Sequence, residues 1–410
     1  MILALLVGTV WAQTSSPVKG EVHGELSTFF FGSMPEEHAV LAPDGASAMG
    51  SVTGRLKTRL DLGRHLQLTA HPVLSSKTGQ ASWVQTGTGG GSSPEVVELS
   101  WDADLDGSLD VQARMDWLVL RARTEGLEIT IGRQPIGFGT GMFFTPMDLV
   151  SPFGLTTIDT SHRPGADAVR VDGFFGTGGR LSGVAAYRGD WDLDGMIYLT
   201  EGQFTVGVTD LHGMLGEVHG EHMMGLGVAS SVGAVGLHSD ATLTLPEDED
   251  AFVRAVVGMD WRPTKKTTLS VEAYLQTLGA TEPEEYLVLA LDDRFSRGEI
   301  QQLGRTYLGA AIQHELGPLT QASLTGFANL EDKSALLSPS LACSVADNAE
   351  LLVGAFLGLG ARPEEVDLMD LVDPVSFQPL PKEEAARRLG VQTEFGMVAP
   401  TFFVQMKSAF

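Results

Sequence analysis

The chain has 410 residues, with 27 Lys and Arg against 52 Asp and Glu for a net charge of −25, and it carries a single Cys. One Cys excludes a disulfide framework, and the acid excess excludes the basic footprint of a nucleic-acid binder. At 43% hydrophobic and 19% charged residues, the composition is neither that of a disordered acidic chain nor that of a helical membrane protein.

The opening segment MILALLVGTVWAQ is apolar through Trp11 and places Val10 and Ala12 at the −3 and −1 positions of a small-residue cleavage site. Residues 1–12 are therefore expected to be a signal peptide, with 13–410 forming one domain. No other uninterrupted apolar run approaches the roughly 20 residues that a spanning helix needs.

From there on, apolar residues recur with period two, the mark of strands with one wet and one dry face. In SVTGRLKTRLDLG, Val52, Leu56, Thr58, Leu60 and Leu62 share one face, and Thr53, Arg55, Lys57, Arg59 and Asp61 share the other. The same alternation sets Val253, Ala255, Val257, Met259 and Trp261 against Arg254 and Asp260, and Leu269, Val271, Ala273 and Leu275 against Ser270, Glu272, Tyr274 and Gln276. Strands are predicted near 20–31, 50–62, 65–73, 111–123, 127–135, 165–174, 180–188, 196–201, 203–209, 215–229, 233–245, 251–262, 267–277, 304–314, 318–328, 335–344, 349–359 and 400–410. That makes 18, with 16 as the runner-up if the Gly-broken stretch 196–229 holds fewer. The alternating EVVELSWD (95–102) is read as an extension inside an outer loop, because counting it singly breaks the parity.

Alternation alone also suits a soluble sandwich. The connections distinguish the two: tight ones at 63–65, 124–126, 176–179, 262–266, 316–318 and 346–348 interleave with long polar segments at 32–49, 74–110, 136–164, 278–303 and 361–399. This is the layout of an antiparallel transmembrane β-barrel with short periplasmic turns and long extracellular loops. Hydrocarbon offers no partners to backbone groups, so such a sheet must close on itself, and strand number is even when both ends lie on one side. On the inward register Arg55, Lys57, Arg59, Arg121, Arg123, Arg170 and Arg254 can line the wall. They either set up a transverse field that favours polar solutes or pair with neighbouring acids and fill space.

Two segments repeat D-x-D-x-D-G: Asp102, Asp104 and Asp106 before Gly107, and Asp190, Asp192 and Asp194 before Gly195. Alternate carboxylates before a Gly turn are how a calcium loop presents its oxygens, and Glu201 stands at the twelfth position of the second. Asp-Gly is equally an ordinary hairpin signal. On a strand His219 and His222 point to opposite faces, against a shared zinc site. The acidic runs 246–250, 281–285 and 363–373 read as solvated loops.

The segment LEITIGRQPIGFGTGMFFTPMDLVSPFG (127–154) resembles porin-like outer-membrane families, including barrels of the alginate-export type. The matching positions are Gly132, Arg133, Gln134, Gly139, Phe144, Pro146, Asp148 and Pro152; Phe138 stands where Trp is common and Thr145 where Asn is usual. Two Pro residues and a loop this apolar suit a segment, 136–164, folded into the lumen or packed on the rim, with Arg133 anchoring Asp148 or facing the permeant. At the C-terminus Phe402, Val404, Met406, Ser408 and Phe410 share a face that ends on an aromatic residue. This resembles the terminal strand of Gram-negative outer-membrane proteins, which the barrel-insertion machinery reads.

The resemblance implies a Gram-negative outer-membrane porin that passes small hydrophilic or charged solutes, in contact with lipid and lipopolysaccharide, with a homotrimer as the assembly likeness suggests. Alternatives are a non-conducting surface-binding or structural barrel with calcium-stabilised outer loops, or an exporter of an anionic polysaccharide. No Gly-x-Ser-x-Gly, Walker loop or paired-Cys motif argues for an enzyme, and no cofactor is required.

Overall fold

The structure is a computed structural model that describes residues 18–35, 38, 40–41, 45–79, 94–105, 109–154, 157–373 and 378–410. The expected signal peptide 1–12 lies outside these, as does Asp106. In chain order the strands are β1 (Val18–Ser33), β2 (Ser47–Leu62), β3 (Leu66–Gly79), β4 (Ser100–Leu105), β5 (Leu109–Thr124), β6 (Leu127–Gln134), β7 (Ala166–Phe175), β8 (Gly179–Tyr187), β9 (Met196–Val206) and β10 (Thr209–Val218). They continue with β11 (Glu221–Val232), β12 (Val235–Leu245), β13 (Phe252–Thr264), β14 (Thr267–Gln276), β15 (Thr306–Gly317), β16 (Thr320–Asn329), β17 (Ser334–Ala346), β18 (Ala349–Leu359) and β19 (Thr401–Ala409). No helix among the described residues is long and apolar enough to cross a membrane.

All pairings in the ring are antiparallel, β3 pairs directly with β5, and β1 closes on β19, so 18 strands form a closed barrel. β4 pairs only with β5, as an extension of the outer loop before it. The runner-up of 16 strands does not hold. Segment 196–229 contains three strands, as expected, but they turn at Gly207–Val208 and His219–Gly220 rather than near 202 and 210–214. The reason is local: Gly207, His219 and Gly220 adopt positive φ (66°, 51° and 79°), the conformation that two-residue hairpin turns demand, whereas Gly202 stays in the ladder.

The two faces sort as the alternation predicts. Val52, Leu56, Leu120, Val257, Leu275 and Phe402 are exposed on the outer wall, while Arg55, Asp116, Asp240, Arg254 and Glu272 are buried on the inner one. The tight connections 63–65, 125–126, 176–178 and 265–266 fall at one rim, and the longest ones at the other.

The closing seam has a specific fit. Gly24 and Phe410 exchange backbone hydrogen bonds (N to O 2.7 and 2.9 Å), and a Cβ at 24 would lie within 2.1 Å of the Phe410 ring. Gly24→Val should thus turn the exposed Phe410 ring aside and weaken closure by no more than about 0.5 kcal/mol. The urea midpoint of the folded barrel in detergent micelles measures this, and a clearly lowered midpoint would show that the seam does not tolerate a side chain there.

Candidate functional site

Segment 135–165 between β6 and β7 does not stay at the rim but crosses the barrel. Its outward leg reaches the far wall, where two inward carboxylates accept its backbone N–H groups. Asp240 on β12 accepts from Thr140 N (2.5 Å), Thr140 Oγ1 (3.0 Å) and Gly141 N (3.1 Å). Glu272 on β14 accepts from Met142, Phe143 and Phe144 N at 2.5, 2.9 and 3.0 Å. Consecutive amides in a loop make a concave set of donors, and a carboxylate is the acceptor that satisfies several at once. His238 holds Glu272 in turn, with Nε2 2.8 Å from Oε1.

Apolar packing supports the same crossing. The Phe144 ring stacks on Tyr274 at 4.8 Å and meets Phe327 edge-on at 5.9 Å. Gly309 leaves the space for it: a Cβ there would come within 3.0 Å of both Phe143 and Phe144. The oily character of the segment is explained by this inner contact.

The return leg is tied twice. Arg163 pairs with Asp148, donates to Ser151 O (2.6 Å) and lies over the Phe153 ring at 4.7 Å. Farther round the barrel, Lys407 on β19 holds Asp159 at 2.6 Å, and His162 meets Glu25 on β1 at 3.0 Å, with Lys57 on the same carboxylate at 2.8 Å. Burial, together with Arg55 and Lys57, holds the His162 imidazole below its usual range despite Glu25. The loop is therefore pinned on three arcs of the wall: where it leaves, at β12–β14, and at β1–β2–β19.

Burial pushes the Asp148 carboxyl up to about 6 against the pull of Arg163. A carboxyl with a folded pKa above its ordinary 3.8 stabilises the fold fully below 3.8 and loses that contribution as pH rises through about 6. Asp148→Asn should flatten the dependence of stability on pH across that window by about one proton. Urea titrations at several pH values measure the slope, and parallel curves for the two proteins would contradict the assignment.

Three cavities follow one another beside the loop. The first, 510 Å³, lies between the loop and the wall, with Trp117, Pro135, Arg163 and Arg170 in its lining. The second, 440 Å³, shares Trp117, Pro135 and Arg170 and adds Arg59, Arg121 and Arg180 with Glu128 and Asp172. The third, 540 Å³, shares Arg59 and Arg121, adds Lys19, Arg64 and Arg123 with Asp61, and reaches the tight-turn rim at 63–65.

The predicted site residues divide accordingly. Arg59, Arg121, Arg123 and Arg170 line these cavities. Arg121 and Arg123 share Glu128 (3.0 and 2.6 Å), Arg170 meets Asp172 (2.8 Å) and Arg59 meets Asp61 (3.3 Å). Arg55 is buried against Asp116, and Lys57 is held by Glu25. Arg254 is buried on the far wall, where it donates to Glu299 O at 2.5 Å. Arg133 does not reach Asp148: it pairs with Asp167 (2.9 Å) and Glu95 (2.6 Å), on the register of outward-facing Leu118. The partner of Asp148 is Arg163, which the sequence reading passed over.

Asp106 lies outside the described residues, and the described acids of the two D-x-D-x-D-G segments point to separate partners. Glu201 points inward and is shared by Arg180 (2.6 Å) and His212 (3.3 Å), away from the 190–194 turn. Asp192 caps Gly195 N (2.9 Å), and Asp102 accepts from Gln112 (2.8 Å). Asp190, Asp194 and Asp104 belong to the same two segments, and among the described residues no group of three His, Cys, Asp or Glu could hold a metal ion. His219 sits in a turn rather than on a strand, with Nδ1 2.7 Å from Asp194 O, while His222 is exposed.

Sequence reasoning missed Asp240, Glu272, Arg163 and Lys407 as loop anchors. Their signal was available in part: Asp240 and Glu272 are carboxylates on inward registers otherwise filled by His, Thr, Ser and Tyr.

No family model matches this chain, and no curated protein matches it in sequence. In shape it is similar to solved structures of Pseudomonas aeruginosa OccK9 (OpdG), at a TM-score of 0.59 and 9% identity over 95% of this chain and 98% of that one. It is also similar to Acinetobacter baumannii OccAB2 (TM-score 0.56, 8% identity, 95% and 98% covered) and OccAB1 (0.56, 8%, 95% and 96%). The likeness is one of fold. It agrees with the closed 18-stranded antiparallel barrel traced above.

Proposed function

We propose that this chain is an outer-membrane diffusion channel for small hydrophilic solutes, with a preference for anions. The observation that carries the reading is the row of three adjoining cavities that runs from the pinned loop to the tight-turn rim along a basic wall. A barrel whose outer band is apolar and whose interior is charged suits a bilayer outside and water within. A loop held on three arcs sets a size limit without any moving part. No bond-making chemistry is needed, and the resemblance of 127–154 and of the terminal strand to porin-like families supports the same conclusion.

The proposal includes orientation with the tight turns toward the periplasm and insertion through the strand that ends at Phe410. The narrower likeness to alginate-export barrels names a polymer that the geometry does not specifically favour. Purified folded protein added to a planar bilayer should give discrete ohmic conductance steps, and liposomes that carry it should swell in small solutes but not in large ones. Folded protein that passes no current would overturn the reading.

A further inference from the structure

Arg133 is a charge on the wrong side of the wall. The outward register of β6 runs through Leu127, Ile129 and Ile131 to Arg133, whose cross-strand neighbours are Leu118 and Asp167. Leu118, Ile131 and Val169 are exposed on the outer surface around it. With about 3.4 Å per residue and a tilt near 40°, Arg133 stands six residues above Leu127, roughly 15 Å up an apolar band about 25 Å tall. A bare guanidinium at that depth is strongly disfavoured.

It is not bare, because a segment of the preceding loop lies over it. Arg133 is 5% exposed and is held by Asp167 and Glu95 together with Met115 O (3.1 Å) and Val97 O (3.4 Å). Asp167 also accepts from Val96 N (2.7 Å), and Glu95 from Leu99 N (2.8 Å), so residues 94–99 are fastened flat against the outside of β6 and β7. β4 continues the cover upward, with Trp101 on the same outward register as Ala113 and Leu74.

The outer surface of this cover is mainly apolar, with the exposed carboxylate of Glu98 as its one outward charge. Val97 is 59% and Trp101 60% exposed, beside exposed Val96 and Leu99, and the segment PEVVELSW has no Lys or Arg. Its one buried-side acid, Glu95, is spent on Arg133. We propose that residues 94–101 form a flap immersed in the acyl chains of the leaflet at the long-loop rim, where it seals the Glu95–Arg133–Asp167 triad from lipid. Acyl chains are the occupant because Val97, Leu99 and Trp101, on alternate positions, continue the apolar band of the barrel, and the segment offers no cation to a headgroup phosphate. This rests on the membrane reading above.

The test places a bimane label on Val97→Cys in a Cys343→Ser background, in vesicles whose acyl chains are brominated. A label on Leu120→Cys, in the middle of the outer band, is the reference. The Val97 label should lose emission to the same extent as the reference, roughly twofold, and be untouched by iodide in the water. Quenching by iodide alone would overturn the flap by placing it in solvent, and quenching by neither would overturn it by placing protein, such as a second copy, over it. If the Leu120 label also escapes the brominated chains, the membrane reading itself fails, a separable result. The intact protein gives a second measurement: the difference in emission between wild type and Trp101→Phe in brominated vesicles should be quenched, and an unquenched difference would overturn the flap.

Discussion

Freeing the crossing loop from the far wall should raise single-channel conductance by roughly twofold and add current noise. The double variant Asp240→Asn, Glu272→Gln does this without altering the strands that carry the two residues. Each native carboxylate accepts three donors from the loop, five of the six being backbone amides. A hydrogen bond to a charged group contributes about 1.5–3 kcal/mol. An amide keeps one oxygen but turns its own N–H₂ toward the same donors, so the variant loses several such bonds and gains repulsion. Packing of Phe144 against Tyr274 and Phe327 remains, but aromatic contacts of this kind contribute about 0.5–1.5 kcal/mol each beyond burial and do not compensate. Conductance and noise equal to wild type, in protein shown to be folded, would mean that the loop does not limit the pore. Deleting 140–152 should act in the same direction and more strongly.

In a salt gradient the wild-type channel should be anion-selective, against the sign of the whole molecule. The chain carries −25 overall, but the third cavity is lined by Lys19, Arg59, Arg64, Arg121 and Arg123 with Asp61, and Glu128 from the adjoining cavity offsets only one of the five cations. At physiological ionic strength charges more than about 8 Å apart are largely screened in solvent, so the acidic outer loops act weakly on an ion already inside. A narrow low-dielectric passage focuses the field of its own wall instead. Neutralising Arg59, Arg121 and Arg123 to Gln removes three cations and leaves Glu128 without the two partners that hold it at 3.0 and 2.6 Å. The anion-to-cation permeability ratio should then fall by about tenfold, to below one. The reversal potential measures this directly. A cation-selective wild type, or a triple variant with an unchanged potential, would show that the basic wall is electrically silent.

Much of this barrel was legible along the chain because strands with one apolar and one polar face leave a period of two, and the interleaving of tight and long connections then separates a barrel from a sandwich. The register of β2 followed directly from the placing of Leu56 and Leu60 against Arg55, Lys57 and Arg59. The same rule would have put Arg133 on the outside, two residues beyond Ile131, and the inward role assigned to it came from motif likeness rather than from alternation. The turns of 196–229 were placed wrongly because Gly marks both a tight turn and a thin strand: Gly202 and Gly207 look alike until their φ values differ. The twelfth-position role of Glu201 followed from spacing alone; on a strand its side chain turns inward to Arg180.

Closure, strand number and the face each residue takes were thus determined by the order of residues, since the pairing of backbone groups acts between neighbouring strands and the facing of side chains follows local alternation. The path of the loop was decided by the folded barrel alone. Asp240, Glu272, Lys407 and Glu25 lie roughly 100 or more residues from the loop groups they hold, and only the curvature of a closed sheet brings them to face 140–144 and 159–162 across the interior. The charge of the passage was settled in the same way, because which arginines keep a face toward water depends on cross-strand partners that become neighbours when the sheet closes.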